Sequence, residues 1–407
     1  MSHTIHDFRG KLLQPALRDH MRAYVDWRKA LGTARKEGKP APETPDLAPI
    51  SINLDLTTAC NYRCDHCIDW DILNSRHKHV EAELRRSVER MAGRGLKSVI
   101  LIGGGEPTLY PGFAGFVEFL KGLRLQVAVV SNGGRGNRLL EAAEHLDEHD
   151  WIRLSLDSGS NDLFLAMHKP VDKKLDLDSI CEWIPKIKER NPRVRVGFSY
   201  IIVWKGAERS GVEIHENIHE IVMATERAHR YGFDYISLKP FLERSPEGAE
   251  VMDPTHAQEE LDAIVRRIRA EVDRAKCLAT EKFDVYESTN LRVLEEGNWK
   301  DYTNQPRTCH MQALRQVLTP TGLYNCPAHR GEHKALIAGP QAYCDDDASR
   351  GTSEGLLKIL DGFDASHECR EVTCLYNGVN WWIEKMIEDP REDVDLPLAD
   401  ERLDYFL

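Results

Sequence analysis

Three thiols fall within eight residues in the run Cys60-Asn-Tyr-Arg-Cys64-Asp-His-Cys67, directly after a short β-rich segment. Thiolates are soft donors, and three in one loop can hold three corners of a cubane iron–sulfur cluster while the fourth iron stays open to an outside ligand. A structural zinc knuckle is the blander alternative, but it needs a fourth donor at tetrahedral spacing. His66 is the only local candidate, and Cys67 would then have to bind the same ion from the adjacent position, so the spacing favours a cluster. One strand–helix unit later comes Gly103-Gly104-Gly105-Glu106-Pro107, a turn in which glycine lets backbone approach a ligand and a carboxylate can face an ammonium. Alone, a triple glycine before Glu says little, because such turns follow strands in many α/β proteins.

A second cysteine set lies near the other end. Cys309 and Cys326 are separated by sixteen residues, among them Gln316-Val-Leu-Thr-Pro-Thr-Gly322-Leu-Tyr, which is expected to form a β-hairpin turning at Pro320-Thr-Gly. Such a hairpin brings the two sulfurs together, and Cys369 and Cys374, just before a helical stretch over 378–387, complete four thiols. Four thiolates suit either a closed zinc site or a fully ligated iron–sulfur cluster, and spacing does not choose between them. Cys181 lies in an amphipathic stretch and is expected in the core; Cys277 closes a long helix; Cys344 is a competitor for one of the four ligand places. Trp381 and Trp382 are expected to pack within a helix, and His329 and Arg330, just past Cys326, are placed either to meet substrate or cluster or to lie in a solvated turn.

The elements that must position these residues follow from the hydrophobic pattern. Runs rich in β-formers, Ile50–Leu56, Ser98–Ile102, Gln126–Ser131, Trp151–Leu156, Arg193–Val203 and Tyr235–Lys239, alternate with helical patterns such as Val80–Arg94, Gly112–Leu123 and His215–Tyr231. Six strand–helix units predict an α/β fold with a parallel sheet, and without a dinucleotide glycine fingerprint a partial, TIM-like (β/α)6 barrel is favoured. Sites in such sheets lie at the carboxyl ends of the strands, where the cysteine loop and the glycine turn fall. Period-2 alternation puts Arg153, Ser155 and Asp157 on the lumen face of the fourth strand and Tyr235, Ser237 and Lys239 on that of the sixth. Arg153, Tyr235 and Lys239 are candidate catalytic or substrate residues, since a lysine in a closed lumen needs a carboxylate or a ligand. Asn132, ending the third strand, and Ser199, on the fifth, hold similar positions.

The chain divides accordingly into an N-terminal helix and proline-broken linker (1–48), the barrel (49–250), a connector with a long helix over 255–276 (251–303), the cysteine-bearing module (304–386) and an acidic tail (387–407), read as a surface segment with the option of packing against the barrel. At 407 residues and 41% apolar it can bury a large core. Lys plus Arg number 54 against 66 Asp plus Glu, so no basic field favours nucleic acid or an anionic membrane as partner. The start carries no apolar signal core and no run reaches a bilayer span, which points to the cytoplasm, where clustered cysteines imply metal chemistry rather than disulfides.

The CxxxCxxC loop after the first strand resembles the signature of radical S-adenosylmethionine (radical SAM) enzymes, and Gly103–Glu106 resembles their Gly-Gly-Glu motif. The resemblance implies a 4Fe-4S cluster on Cys60, Cys64 and Cys67, with SAM on the open iron cleaved by one electron to a 5′-deoxyadenosyl radical. It also implies contacts to SAM from Gly104, Gly105 and Glu106, from His66 near the adenine, and from Ser155 and Asp157, with Asn132 and Ser199 as further cofactor contacts. The C-terminal thiols are similar to the auxiliary-cluster module called Twitch, a short form of the SPASM domain, which makes Cys309, Cys326, Cys369 and Cys374 ligands of one auxiliary iron–sulfur cluster, expected as 4Fe-4S. Two spacings depart from the usual pattern: three residues separate Gly322 from Cys326, and the Cys369–Cys374 gap is wide. Relatives of this kind include an aminocyclitol dehydrogenase. The implied activity is therefore oxidation of a small polar metabolite, a sugar, aminocyclitol or similar, with the auxiliary cluster as electron acceptor and a flavodoxin- or ferredoxin-type reductant as partner. Peptide modification by crosslinking or epimerisation is the alternative, as is an epimerase or lyase of a natural-product pathway, with Cys277 or Cys344 as a hydrogen donor.

Overall fold

The computed structural model describes residues 7–245, 247–254, 260–391, 396 and 400–407. Apolar and β-branched runs form β1 (Ser51–Asp55), β2 (Ser98–Ile102), β3 (Gln126–Ser131), β4 (Trp151–Ser155), β5 (Arg195–Ile202) and β6 (Tyr235–Pro240), followed by β7 (Asp284–Glu287), β8 (Arg315–Thr319), β9 (Gly322–Tyr324) and β10 (Leu336–Ala338). They make one ten-stranded sheet in the order β7-β6-β5-β4-β3-β2-β1-β8-β9-β10. All pairings from β7 through β8 are parallel, and only β9 and β10 run antiparallel. Helical crossovers return the chain over one face, as parallel pairing demands. The edge strands β7 and β10 do not pair with each other, so the barrel is open.

The six expected strands are present, and the sheet goes beyond them on both sides. β7 is a four-residue, part-exposed edge strand between charged residues and gives little hydrophobic signal. On the other side, the first arm of the C-terminal hairpin pairs in parallel with β1, Ser51 facing Arg315 and Leu54 facing Leu318. The hairpin is thus an extension of the barrel sheet rather than a separate small sheet.

One side chain parity packs outward: Ile52, Leu54, Val99, Leu101, Val127, Val129, Ile152, Leu154, Phe198 and Leu238 join the helices in the main core. The other parity faces the lumen and is polar on β4 to β6. The long connector helix spans Leu261–Lys276, while positions 255–259 of the expected range lie outside the described residues. The N-terminal helix Arg18–Glu37 buries Met21, Tyr24, Val25 and Leu31 against Ile383 and Met386 of the helix Asn377–Glu388. Trp381 and Trp382 belong to that helix, Trp381 donating its indole N–H to the Asn304 carbonyl at 2.8 Å and Trp382 lying under the Arg9 guanidinium.

The last residues pack against the barrel. Phe406 and Leu407 are buried, and Phe406 packs on Trp151, Ile100 and Ala128 at the amino-terminal end of the lumen. Ser98 Oγ donates to the Tyr405 carbonyl at 2.7 Å, and the Tyr405 N–H donates to Gln126 Oε1 at 2.9 Å, so side-chain hydrogen bonds to the Tyr405 backbone as well as apolar contact seat this floor. No helix among the described residues is long and apolar enough to cross a membrane.

Candidate functional site

At the carboxyl end of β1 the chain enters the cysteine loop, which its neighbours brace. Asn74 Oδ1 accepts from the Cys60 N–H at 3.0 Å, Asn132 Nδ2 donates to Asn61 Oδ1 at 2.9 Å, and the Glu106 N–H donates to the Ala59 carbonyl at 2.8 Å. The glycine turn touches this loop directly. A Cβ on Gly105 would lie 2.3 Å from the Ala59 carbonyl oxygen, so only glycine permits that approach, and Gly104 adopts φ +82° beside Asp55. The Gly104 N–H donates to Asp69 Oδ2 at 3.3 Å.

Glu106 is buried at the ends of β2 and β3. Its Oε1 accepts from Thr108 N–H (3.0 Å), Thr108 Oγ1 (2.6 Å) and Ser131 Oγ (2.7 Å), and its Oε2 accepts only from Asn132 N–H (2.7 Å). Burial raises its pKa against these donors. Oε2 retains acceptor capacity for one more donor.

The expected alternation on β4 ends at Ser155. Asp157 has φ +50°, which turns it out of the strand pattern, and its side chain is fully buried. Its Oδ1 accepts from the Ile201 N–H at 2.7 Å, and its Oδ2 lies 3.1 Å from His66 Nε2 and 3.4 Å from His168 Nε2. Burial opposes ionisation, but the hydrogen bonds from His168 and His66 outweigh it and hold the carboxyl well below the usual range. Asp157 therefore orients two imidazoles and leaves no oxygen facing open space, a correction to its expected place beside Arg153 on the lumen face. His168 Nε2 also lies 3.0 Å from the Leu156 carbonyl, which leaves Nδ1 as the acceptor for Cys64 Sγ at 3.3 Å. Donor atoms of Cys64, His66 and His168 lie within 4.8 Å of one another. His168 carries no motif that would have singled it out from sequence.

All three thiols of the loop are pushed up. Burial leads in each case, reinforced at Cys64 by Cys67 and Cys60, and Cys67 reaches about 12. Such thiols stay protonated unless a cation stabilises them, and a bound metal centre does so outright. Their mutual proximity and the unpartnered buried atoms Asp55 Oδ1, Asp69 Oδ1 and His66 Nδ1 around them fit a bound polar group.

The C-terminal thiols converge too. Cys309, Cys326, Cys369 and Cys374 line a single cavity of about 140 Å³ that also meets Arg315, Glu250, His329 and Asn380. Asn380 Nδ2 lies 3.4 Å from Cys309 Sγ and His329 Nε2 lies 3.4 Å from Cys369 Sγ. Burial again raises all four, Cys326 to about 12, so this donor set fits a tightly held soft cation or cluster. Cys344 is elsewhere, its Sγ 3.4 Å from Asp345 Oδ2, and does not line the cavity. Cys277 is exposed at a helix end and Cys181 is buried in the core.

Arg330, four residues after Cys326, links the two regions. Its Nη1 lies 2.6 Å from Asp69 Oδ2 and its Nε 3.4 Å from Asp55 Oδ2. Burial works against its charge, and Asp55, Asp69 and Glu250 hold it. Glu250, pushed up to about 7 by burial against the pull of Arg330, stands between this network and the C-terminal cavity. Sequence reasoning left Arg330 open between a site contact and a solvated turn and missed Glu250, because both act across long sequence separations.

Within the barrel, Arg153, Tyr235 and Lys239 face the lumen as expected, with Ser155, Ser199 and Ser237 paired in one row across β4, β5 and β6. Arg153 makes no ion pair with Asp157; its guanidinium lies 4.9 Å from the Trp151 ring.

Residues 54–214 match the family model described as the Radical SAM superfamily. These residues form a radical SAM domain. The chain is 26% identical over 159 residues to an S-adenosylmethionine-dependent nucleotide dehydratase of Selenomonas ruminantium, covering 37% of this chain and 56% of that protein. The chain thus spans about half the length of that curated relative. In fold it is similar to Streptococcus suis SuiB bound to S-adenosylmethionine, with a TM-score of 0.53 and 15% identity over 87% of this chain and 71% of SuiB. SuiB has also been solved bound to the precursor peptide SuiA. The anSMEcpe structure with bound AdoMet gives a TM-score of 0.52 at 14% identity, covering 79% of this chain and 82% of that one. Radical SAM domains bind a 4Fe-4S cluster and SAM, and the sheet here matches their partial barrel.

Proposed function

We propose that this chain is a radical SAM oxidoreductase with two iron–sulfur sites, acting on a small polar metabolite. In this reading Cys60, Cys64 and Cys67 hold a 4Fe-4S cluster, and Gly104, Gly105, Glu106, His66, Asn132, Ser155 and Ser199 surround SAM. Asp157 acts one layer back, by orienting His66. Cys309, Cys326, Cys369 and Cys374 hold one auxiliary cluster. When bound, these groups would supply a hydrogen-abstracting 5′-deoxyadenosyl radical and an electron acceptor. The residues of the chain bind and shield. Glu106 Oε2, which accepts from the Asn132 N–H, has capacity left to take an ammonium, the floor formed by Phe406 excludes water from below, and Arg153, Tyr235 and Lys239 meet the substrate. Loss of a hydrogen atom, a proton and an electron from the substrate amounts to a two-electron oxidation.

The observation that carries this is the pair of separate thiol sets, three in a loop at the barrel mouth and four around one cavity joined to that mouth through Arg330. Anaerobic incubation of reconstituted protein with SAM and a flavodoxin or ferredoxin system, or dithionite, is expected to release 5′-deoxyadenosine. No release above a Cys60→Ser, Cys64→Ser, Cys67→Ser control would contradict it.

A peptide substrate is the second reading, favoured by a cleft of about 810 Å³ lined by Trp204, Phe241, Arg244, Trp299 and Glu371. Small-molecule and peptide fractions of a cell extract distinguish the two: the fraction that raises 5′-deoxyadenosine release contains the substrate class.

A further inference from the structure

The lumen of the barrel has an unbalanced charge. Its side chains lie in rows fixed by strand register: Arg153, Gly197 and Tyr235 are neighbours on β4, β5 and β6, Ser155, Ser199 and Ser237 form the next row, and Lys239 stands beside Ile201 nearer the mouth. The intervening residues Ile152, Leu154, Val196, Phe198, Ile236 and Leu238 pack outward, so the polar set faces inward. A Cβ on Gly197 would strike the Tyr235 ring at 2.1 Å; glycine here lets that ring lie across the strand and widens the chamber above it.

Four acids near this chamber have other partners among the described residues. Asp55 and Asp69 engage Arg330, Asp157 engages two histidines, and Glu106 takes four donor groups. Among the cations, Arg195 at the floor is paired with Asp284 at 2.8 Å. Arg153 and Lys239 have no carboxylate partner among the described residues. Arg153 Nε is buried without a hydrogen bond, and the guanidinium lies against the Trp151 ring. Burial and the nearby Arg153 charge push the Lys239 ammonium well below its usual value, against the pull of Asp157. Two half-buried cations sharing one chamber repel each other and lose part of their hydration, a combination that a bound anion relieves.

We infer that Arg153 and Lys239 bind an anionic group of the substrate, a phosphate or a carboxylate, with the hydroxyls of Ser237 and Tyr235 as its hydrogen-bonding neighbours. This deepens the proposed function and rests on the lumen being the substrate chamber of a radical SAM enzyme.

The test uses full-length, anaerobically reconstituted protein titrated by calorimetry with pyrophosphate, with malonate, and separately with SAM. The wild type is expected to bind one of the two anions, and which one distinguishes phosphate from carboxylate. Arg153→Met and Lys239→Met should each weaken that anion by about tenfold or more, and by far more than they weaken SAM. Arg153→Lys and Lys239→Arg should recover most of the affinity, which separates lost charge from misfolding. Arg195→Met, whose cation is already paired, should change it by about twofold at most. Binding of neither anion, equal binding by the Met variants, or an equal loss of SAM affinity that assigns the cations to SAM, would each overturn the inference. The radical SAM reading fails separately, through absent 5′-deoxyadenosine in the wild type.

Discussion

At the residue scale, the mouth of the barrel is built from close approaches that tolerate little addition. Gly105 is the tightest of these, because the atoms its Cβ would meet, Ala59 O at 2.3 Å and Thr58 C at 2.6 Å, are backbone and cannot swing aside. Gly105→Ala should therefore push the glycine turn off the cysteine loop. The expected outcome is a loss of about 1–3 kcal/mol in denaturant unfolding together with lower iron content after reconstitution. Gly115, in the helix Phe113–Gly122, meets nothing within 4 Å, and Gly115→Ala should instead stabilise by about 0.5–1 kcal/mol. Equal behaviour of the two variants would mean that the turn and the loop do not abut. Asp157 shows how a residue can be legible as important and still be misplaced. Strand alternation and the family resemblance marked it, but alternation does not survive a left-handed φ, and the two histidines that claim its carboxylate come from other elements.

At the scale of elements, the C-terminal hairpin and the radical SAM domain share a sheet and a buried ion network. Arg330 holds two carboxylates from the first strand and the cysteine loop, so Arg330→Met leaves Asp55 and Asp69 buried without their cation. A loss of about 3–5 kcal/mol is expected, largely relieved when Asp55→Asn and Asp69→Asn are added, as read from a double-mutant cycle. Additive losses would show that the network does not couple the two elements. The N-terminal helix makes a different dependence. His20 is buried against Gly95, and burial, helped by Lys97, lowers its pKa from 6.5 to about 4. Above pH 6.5 it is neutral folded or unfolded and contributes nothing to the slope. Between pH 6.5 and about 4 the unfolded chain takes a proton that the native state refuses, so stability falls, by an amount on the order of 1–3 kcal/mol. His20→Gln should flatten that part of the stability profile, and an unchanged slope would place the acid sensitivity elsewhere. The six central strands were readable because β-branched runs alternate with amphipathic helices. β7, the pairing of β8 with β1 and the Phe406 floor were not, because a four-residue charged strand, a parallel contact across more than 250 residues of chain and an aromatic in an acidic tail carry no local periodicity.

For the whole molecule, the cysteine arithmetic gives a stoichiometry. Two cubanes require about eight irons per chain, and Cys326→Ser or Cys369→Ser should lower the count to about four while leaving the loop cluster in place. About four irons plus one zinc in the wild type would make the C-terminal site structural instead. The spacing of the seven ligand candidates was legible in the sequence; the cavity that joins four of them, and the exclusion of Cys344 from it, depended on tertiary packing such as that of the segment 309–314 against the helix Asn377–Glu388. The most direct test of the central claim is the paramagnetic spectrum of the reduced, anaerobically reconstituted protein recorded with and without SAM. A cluster with an open iron on Cys60, Cys64 and Cys67 should give a reduced 4Fe-4S signal whose g values shift when SAM is added, and the shift should vanish in the variant lacking those three thiols. A spectrum that SAM leaves unchanged would contradict it.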